Sequence, residues 1–529
     1  MSRYQCSRLD TVVEMGSTGV SLSQLRQHGL ISLLKKAQTG TNEKIVIDYS
    51  SPNIAKRFHV GNLRSTLIGR YTAKLNSIIG NDVTSINYLG DWGRQMALII
   101  AYWPKVRPSD SYWNSVGDGE KVRLLTDCYV VGNRMMESDE QLREDVRRIH
   151  ERMEQMKLKG EGDNNDEEMK QWKDIVNISI SHLNHFYSLF DCQFTKWMGE
   201  SEESGRAQLL VSDLLSKKHA TTDEKGTIIT DRDAFHRLGR SDGTTLYLTR
   251  DISSLLFRDQ LYKADKYIYV VERAQRNHFA NLKRVMELIG YEDLAAKIIH
   301  LSYGRVKGLS TRKGRTEVVE EIMESGKELA KEFMGSSPTA KELTQGIFSI
   351  FYPFAMAYSP THTLFSRDET EEISLKLAIS SLVVTEMRRA RNSDYEFSWR
   401  RTFDPSGGNN ALFLHSKYSR LCSIEETNRD MMNGLNEYAI IEEPSSASLI
   451  SSLLSLYSSA LSSSQSMESH ELTNSLLSLA RECGKAGVTM RVKGSEEKIA
   501  RSRLALLNLA KRSMEESMEI LGIPLISKM

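Results

Sequence analysis

An α/β fold with a parallel sheet and a helical insertion, followed by an all-α helix bundle, is predicted by three features of this 529-residue sequence. Short apolar runs alternate with helix-length segments up to about Ser302. Dense charge without strand signal interrupts that alternation between about Ser109 and Glu168. From about Glu317 onward strand signals all but vanish, and apolar residues recur at helical spacing.

Lys44–Tyr49 (KIVIDY) is an apolar run of strand length, followed by the turn sequence Ser50-Ser51-Pro52-Asn53. Leu63, Leu67, Tyr71, Leu75 and Ile78 recur at spacings of four and three. That pattern predicts a helix beginning at Asn62 or Leu63 and stopped by Gly80-Asn81. Asp82–Leu89 reads as the next strand, and strand, helix, strand is the βαβ unit of a parallel sheet. Further strands are expected at Thr244–Leu248, Tyr267–Val271 and Lys297–Ser302. The insertion, about 105–170, reads as helices, with the GEGDNN segment at 160–165 as a solvated loop. Ser445–Ser469 is serine-rich, yet Leu449, Leu453, Leu456 and Ala460 keep helical spacing, so it reads as a helix with a polar serine face. The expected organisation is a short extension over 1–43, an α/β domain over 44–320 and a helical domain over 321–529.

Seventy Lys and Arg against 69 Asp and Glu leave a net charge of +1, so a nucleic-acid partner must be held by local basic patches. No apolar stretch approaches the ~18–20 residues of a spanning helix, which excludes an integral membrane protein built on helices. Cys6, Cys128, Cys192, Cys422 and Cys483 are scattered and never form a CxxC pair, as in a reduced compartment. His182 and His185 are spaced as zinc ligands can be, but no Cys or His pair accompanies them, and a structural role is expected. Residues 1–43 carry Arg3, Arg8, Arg26 and several serines, but also Asp10 and Glu14, and have no apolar h-region, which excludes a secretory signal and leaves a short organellar transit segment open.

The first βα turn holds Lys56-Arg57-Phe58-His59-Val60-Gly61-Asn62. A helix N-terminus directly after a strand presents unpaired N–H groups and partial positive charge to a phosphate. Gly61 removes a side chain where a nucleotide could approach the backbone, and His59 can donate to a phosphate whose charge grows in a transition state. Gly304 to Gly314 (GRVKGLSTRKG) reads as a glycine-punctuated basic loop, its Lys307, Arg312 and Lys313 suited to a leaving pyrophosphate. Taken singly, each segment reads as well as a capped core helix or a solvated turn.

Together these segments resemble the two-part signature of class I aminoacyl-tRNA synthetases. Ser50 to Lys56 (SSPNIAK), His59-Val60-Gly61 and Leu63-Arg64-Ser65-Thr66 resemble the arginyl-tRNA synthetase form of the HIGH motif. Asn87 to Gln95 (NYLGDWGRQ) resembles that family's next element, and Tyr247 to Asp251 (YLTRD) its arginine-site helix. Leu309 to Gly314 (LSTRKG) resembles its degenerate KMSKS loop. Leu414-His415-Ser416, Arg420-Leu421 and Ala500 to Leu506 (ARSRLAL) resemble its helical, DALR-type anticodon-binding domain. The resemblance runs from about residue 44 to Met529 and implies a Rossmann-type catalytic domain.

It further implies activation of L-arginine by ATP with Mg²⁺, without a protein-bound metal, and transfer of the arginyl group to the terminal adenosine of tRNA-Arg. Lys56, His59 and Asn62 would be catalytic. His59, Gly61, Asn62, His278, Ser310, Thr311, Arg312 and Lys313 would bind ATP. Asp48, Ser51, Asn53, Glu200, Tyr247, Asp251 and Gln275 would bind arginine, since planar carboxylates offer a guanidinium two-pronged hydrogen bonds. Asp48 stands where the family usually has Glu, Asn62 replaces the second histidine of HIGH, and Gly308 and Thr311 replace the two KMSKS lysines. Lys56 would take over part of their role.

For the RNA, nine basic against five acidic residues lie between Arg481 and Glu516, and Arg388, Arg389 and Arg391 form a further cluster. Unpaired anticodon bases are read by stacking and Arg contacts, for which Phe413, Tyr418, Arg491 and Met529 are candidates. Family members commonly carry an N-terminal domain of on the order of 100 residues; 47 residues precede Asp48. The expectation is a monomeric mitochondrial form serving reduced tRNAs, with a cytoplasmic location as the alternative. Two other readings are a different HxGH-type nucleotidylyltransferase and a catalytically silent tRNA-binding paralogue. The long helical domain opposes the first, and the retained arginine-site residues oppose the second.

Overall fold

Lys44–Asp48 (β1) places four consecutive buried residues behind one exposed lysine, the pattern of a strand covered on both faces. The computed structural model describes residues 20–37, 42–159, 166–224, 226–229, 237–239, 245–311, 314–316, 318–336, 367–404, 408–432 and 443–528. Asp82–Leu89 (β2) forms over the full expected span. The remaining strands are Lys196–Gly199 (β3), Thr221–Thr222 (β4), Ile228–Ile229 (β5), Arg237–Gly239 (β6), Lys266–Tyr269 (β7), Ile298–His300 (β8), Val306–Thr311 (β9), Gly314–Thr316 (β10) and Tyr395–Ser398 (β11). Two compact units result. One is Asn42–Ala73 with Asn81–Arg305; the other contains Lys74–Gly80, Val306–Met529 and the helix Leu22–Ala37.

In the first unit five parallel strands lie in the order β3-β2-β1-β7-β8. The chain winds outward from β1 to β3, then returns to the other side of β1 with β7 and β8. The order therefore reverses between β1 and β7. Ligands of such sheets bind at the carboxyl ends of the strands flanking that reversal, which here are Asp48 and Tyr269.

The helix Val60–Ile78 starts at Val60, earlier than the expected Asn62 or Leu63, because the His59 carbonyl already accepts from the Leu63 N–H at 3.1 Å. It lies tightly on the strand end: a Cβ on Gly69 would stand 2.1 Å from Tyr49 Cγ.

The strand expected at Thr244–Leu248 does not form. Leu246 is the N-cap of a helix, Tyr247–Tyr262, and Thr245 makes an isolated bridge to Gly239; residue 244 lies outside the described residues. Thr and Leu there read locally as strand, but Ile252, Leu255 and Arg258 bury a helical face, and that burial decides. The insertion is helical, with Arg94–Val106, Asp110–Ser115, Asp118–Met135, Glu140–Lys159 and Glu167–Leu189. Leu142, Val146, Ile149 and Met153 form its buried stripe. The expected loop at 160–165 lies outside the described residues.

In the second unit, the long helices among the described residues (Val319–Ser336, Arg367–Met387, Ala411–Thr427, Pro444–Ser466, Ser469–Thr489 and Glu497–Leu521) accompany a small sheet in the order β10-β9-β11. The near-absence of strands expected after Glu317 holds among the described residues with one exception, β11, which pairs in parallel with β9. The same pairing corrects the glycine-punctuated loop: Val306–Thr311 is a strand, and Ser310 and Thr311 pair with Arg315 and Gly314. A partner about 90 residues downstream leaves no local periodicity to read. In the serine-rich helix, Leu449, Leu453, Leu456 and Ala460 are all buried as their spacing indicates. Glu516 accepts from the Leu30 and Ile31 N–H groups and so caps the second half of the helix Leu22–Ala37, whose Gly29 breaks the helix at φ 76°. Among the described residues no helix is long and apolar enough to cross a membrane.

Candidate active site

The turn after β1 is held in a conformation few residues adopt. Ser50 and Ser51 have φ of 67° and 44°, and Ala55 has 54°. Non-glycine residues reach that region at a cost, which surrounding bonds must offset. The Ser50 N–H donates to Ser65 Oγ at 3.0 Å, and Ser65 Oγ donates to the Val270 carbonyl at 2.8 Å. Ser50 Oγ lies 2.7 Å from the hydroxyls of Tyr187 and Thr66. The Ser51 N–H donates to Asn87 Oδ1 at 3.1 Å, and Asn87 Nδ2 donates to the Tyr187 hydroxyl at 3.2 Å. This buried network fixes the segment that carries Asp48, Ser51 and Asn53.

Asp48 is buried and doubly engaged. Ser51 Oγ donates to its Oδ1 at 2.6 Å, and the fully buried Arg258 donates to its Oδ2 at 2.8 Å. The Arg258 guanidinium also lies 5.1 Å from the Tyr88 ring centroid and 5.7 Å from that of Tyr269. Asn53 is exposed and bridges to Gly90, where a Cβ would stand 2.0 Å from Asn53 Oδ1. Only glycine admits that approach.

At the helix start, the Gly61 N–H donates to His59 Nδ1 at 3.1 Å. An Nδ1 that accepts is unprotonated, so the neutral ring carries its proton on Nε2 and offers it as a donor. The spacing His-x-Gly thus has a local reason: the glycine amide selects the tautomer, and a Cβ on Gly61 would stand 2.9 Å from His59 Cε1. Asn62 lies in the first helical turn, where its carbonyl accepts from Thr66 Oγ1 at 2.7 Å. Lys56 Nζ lies 5.0 Å from the Tyr129 ring centroid, and partial burial lowers its pKa from the usual lysine range. Tyr303 donates to the Gly61 carbonyl and Arg64 to that of Gly304, so segment 301–305 is tied to the same helix end.

Glu200 follows β3, and Asp91 follows β2. Asp91 accepts from the Ser201 N–H at 2.9 Å and from Ser201 Oγ at 2.7 Å, while burial raises its pKa. A Cβ on Gly199 would stand 2.3 Å from Asp91 Oδ2. Gly199→Ala is accordingly expected to destabilise this unit by about 1–3 kcal/mol, as overpacking does, read as an earlier thermal transition. Burial, with Asp251 and Asp91 nearby, raises Glu200 to about 7 against the opposing pull of Arg250. Arg250 lies 3.7 Å from Glu200 Oε2 and 3.8 Å from Glu154 Oε1.

Asp251 bonds to His278 at 2.6 Å, and that bond raises the histidine pKa. Two residues expected on different substrates, arginine and ATP, therefore touch each other. Tyr247 is 71% exposed at the first position of its helix, and Gln275 is exposed three residues before His278. The Tyr88 hydroxyl is buried without a hydrogen-bond partner among the described residues, close enough to Asp251, Glu203 and Glu200 for their charges to raise its pKa. A buried donor without a protein partner beside carboxylates calls for a bound water or ligand group to satisfy it.

Ser310 and Thr311 stand on β9 in the other unit, and Arg312 and Lys313 lie outside the described residues. Among the RNA candidates, Phe413 is half-buried with Lys417 Nζ 5.2 Å from its ring, and Arg491 is exposed. Tyr418 is 3% exposed and donates to Glu515 at 2.8 Å, so its ring packs inside the bundle and cannot stack on a base, which corrects that expectation. Met529 lies outside the described residues.

Sequence reading missed Arg258, Tyr88, Arg250 and Glu154. Arg258 had a signal: Tyr247, Asp251 and Arg258, at i, i+4 and i+11, share one helix face. Glu154 had none, because it arrives from the insertion.

Two family models match the chain. That of the class I tRNA synthetase (R) catalytic domain covers residues 25–345, and that of the DALR anticodon binding domain covers 414–529. A probable mitochondrial arginine–tRNA ligase of Mus musculus is 30% identical, over 92% of this chain and 78% of its own length. The cytoplasmic arginine–tRNA ligase of Saccharomyces cerevisiae is also 30% identical, over 92% and 77%. In fold, the arginyl-tRNA synthetase of Thermus thermophilus matches at a TM-score of 0.70 with 19% identity, over 94% of this chain and 86% of its own. The chain belongs to the arginyl-tRNA synthetases, class I ligases that activate arginine with ATP and attach it to tRNA-Arg.

Proposed function

We infer that the carboxylates gathered at the carboxyl ends of β2 and β3 are the arginine pocket of this ligase. One observation carries the reading. Glu200 and Glu154 share the Arg250 cation at 3.7 and 3.8 Å, and Asp251 is engaged by His278 at 2.6 Å. A ligand with a guanidinium supplies a further cation and two-pronged donors to these carboxylates, which an amino acid without one does not.

In the first step the arginine carboxylate attacks the α-phosphate of ATP, forming the mixed anhydride as pyrophosphate leaves. In the second, a terminal ribose hydroxyl of the tRNA takes the arginyl group and AMP leaves. The attacking carboxylate is already ionised, so the protein's task is alignment and charge stabilisation. His59, through its Nε2 proton, and Lys56 would face the phosphates, with Asn62 as a neutral donor and Gly61 allowing close approach. Ser310, Thr311, Arg312 and Lys313 would follow the pyrophosphate, and His278 would hold Asp251. Ser51, Asn53 and Gln275 would bind the amino-acid end. Asp48, engaged by Arg258, would act there by orienting Ser51, and Tyr247 would cover the guanidinium.

Mg²⁺ would arrive on the triphosphate. Phe413 and Arg491 would meet anticodon bases. A mitochondrial location is supported by the mitochondrial relatives, and a monomer is the proposed state; imaging of a tagged chain and light scattering test the two.

The deciding experiment is charging of labelled arginine onto mitochondrial and cytosolic tRNA pools, with Asp251→Ala as control. Charging that the variant loses supports the reading. Absence of charging of either pool, with tRNA still bound, would favour the silent paralogue.

The Glu200 carboxyl sets a pH dependence. With a pKa of about 7 it is mostly neutral below neutrality, and a guanidinium needs the ionised form. The kcat/KM for arginine should rise with pH, standing at pH 6 about tenfold below its plateau. Glu200→Gln should lower kcat/KM and remove this limb of the profile.

A further inference from the structure

Arg250 is held by two carboxylates and committed to neither. Its two terminal nitrogens lie 3.7 Å from Glu200 and 3.8 Å from Glu154, beyond hydrogen-bond length, and its buried Nε has no partner among the described residues. Glu154 is itself fixed, since Trp92 Nε1 donates to its Oε1 at 2.7 Å, and Trp92 packs edge-on to Trp172 at 5.3 Å. His150 Nε2, one turn earlier on the same helix, lies 3.6 Å from the same oxygen. The helix Glu140–Lys159 belongs to the insertion, so the insertion delivers a carboxylate beside the proposed pocket.

A second guanidinium cannot join Glu200 while Arg250 shares it without placing two like charges side by side. A shift of under about 1 Å would bring Arg250 into direct contact with Glu154. We propose that Arg250 is a displaceable internal counter-ion: it partners Glu200 in the absence of arginine and moves onto Glu154 when the substrate guanidinium takes Glu200. Glu200 then has a cation before and after binding, and Glu154 acts as a positioning residue that receives the displaced charge. The insertion thereby becomes part of amino-acid selection. This rests on the reading of Glu200 as an arginine ligand.

The test is a double-mutant cycle on arginine affinity, by calorimetry and by KM in charging, using Glu154→Gln and Arg250→Met. Gln retains an oxygen for Trp92, so the fold contact persists. Glu154→Gln alone should raise the Kd and KM for arginine about tenfold, with kcat within about twofold, because Arg250 stays on Glu200 and competes. In the Arg250→Met background the same change should alter Kd by less than about twofold. Equal losses in both backgrounds, or no loss in the first, would overturn the proposal. Glu200→Gln separates the two levels of inference. If that variant binds arginine as tightly as the parent, the pocket reading itself fails. If it binds weakly while Glu154→Gln is silent, only the counter-ion proposal fails.

Discussion

Arg258→Met should destabilise the α/β unit by about 3–5 kcal/mol, the cost of leaving a buried charge without its partner. Asp48 is the group left behind: buried, at the end of the central strand, with Arg258 on one oxygen and Ser51 on the other. The change should appear as an early thermal transition. Arginine charging should fall with it even well below that transition, because Ser51 and the strained turn depend on Asp48. Asp48→Asn paired with Arg258→Met removes both charges and should recover a substantial part of the lost stability. If the single variant melts like the parent, the pair does not anchor the turn.

Asp251→Ala should reduce kcat/KM for arginine by about a thousandfold, the scale of truncating one member of a hydrogen-bonded charge pair at 2–5 kcal/mol. The folded state should change little, since the Asp251 side chain is 38% exposed. Asp251→Asn keeps the shape but loses the charge and should fall between parent and alanine. The bond to His278 adds a second readout. With the carboxylate gone, the histidine pKa should drop toward its ordinary value, visible by NMR titration. A variant that charges normally would remove Asp251 from the pocket.

Much of the candidate site could be proposed from the sequence because its residues sit in short chain segments whose spacing has a local cause. His59 and Gly61 are two apart because the glycine amide selects the histidine tautomer. Tyr247 and Asp251 share a helix face, and Arg258 continues it. Thr244–Leu248 misled because β-branched and leucine residues suit a strand as well as a helix, and only the burial of Ile252, Leu255 and Arg258 decides between them. Tyr418 misled for a related reason: an aromatic side chain in a helix reads alike whether it faces RNA or the bundle.

The sequence by itself determined the α/β region, the helical region after it, the strand β2 over its whole span and the family to which the chain belongs. Those follow from periodicity and from motifs contained in a few consecutive residues. Only the tertiary structure decided who pairs with whom. The Asp48–Arg258 pair, the Asp251–His278 bond, the pairing of β9 with β11 and the arrival of Glu154 beside Arg250 each join residues separated by tens to hundreds of positions. Burial makes such partners necessary, because a charge or an N–H withdrawn from water must find one, but the chain's own order does not say which it will be.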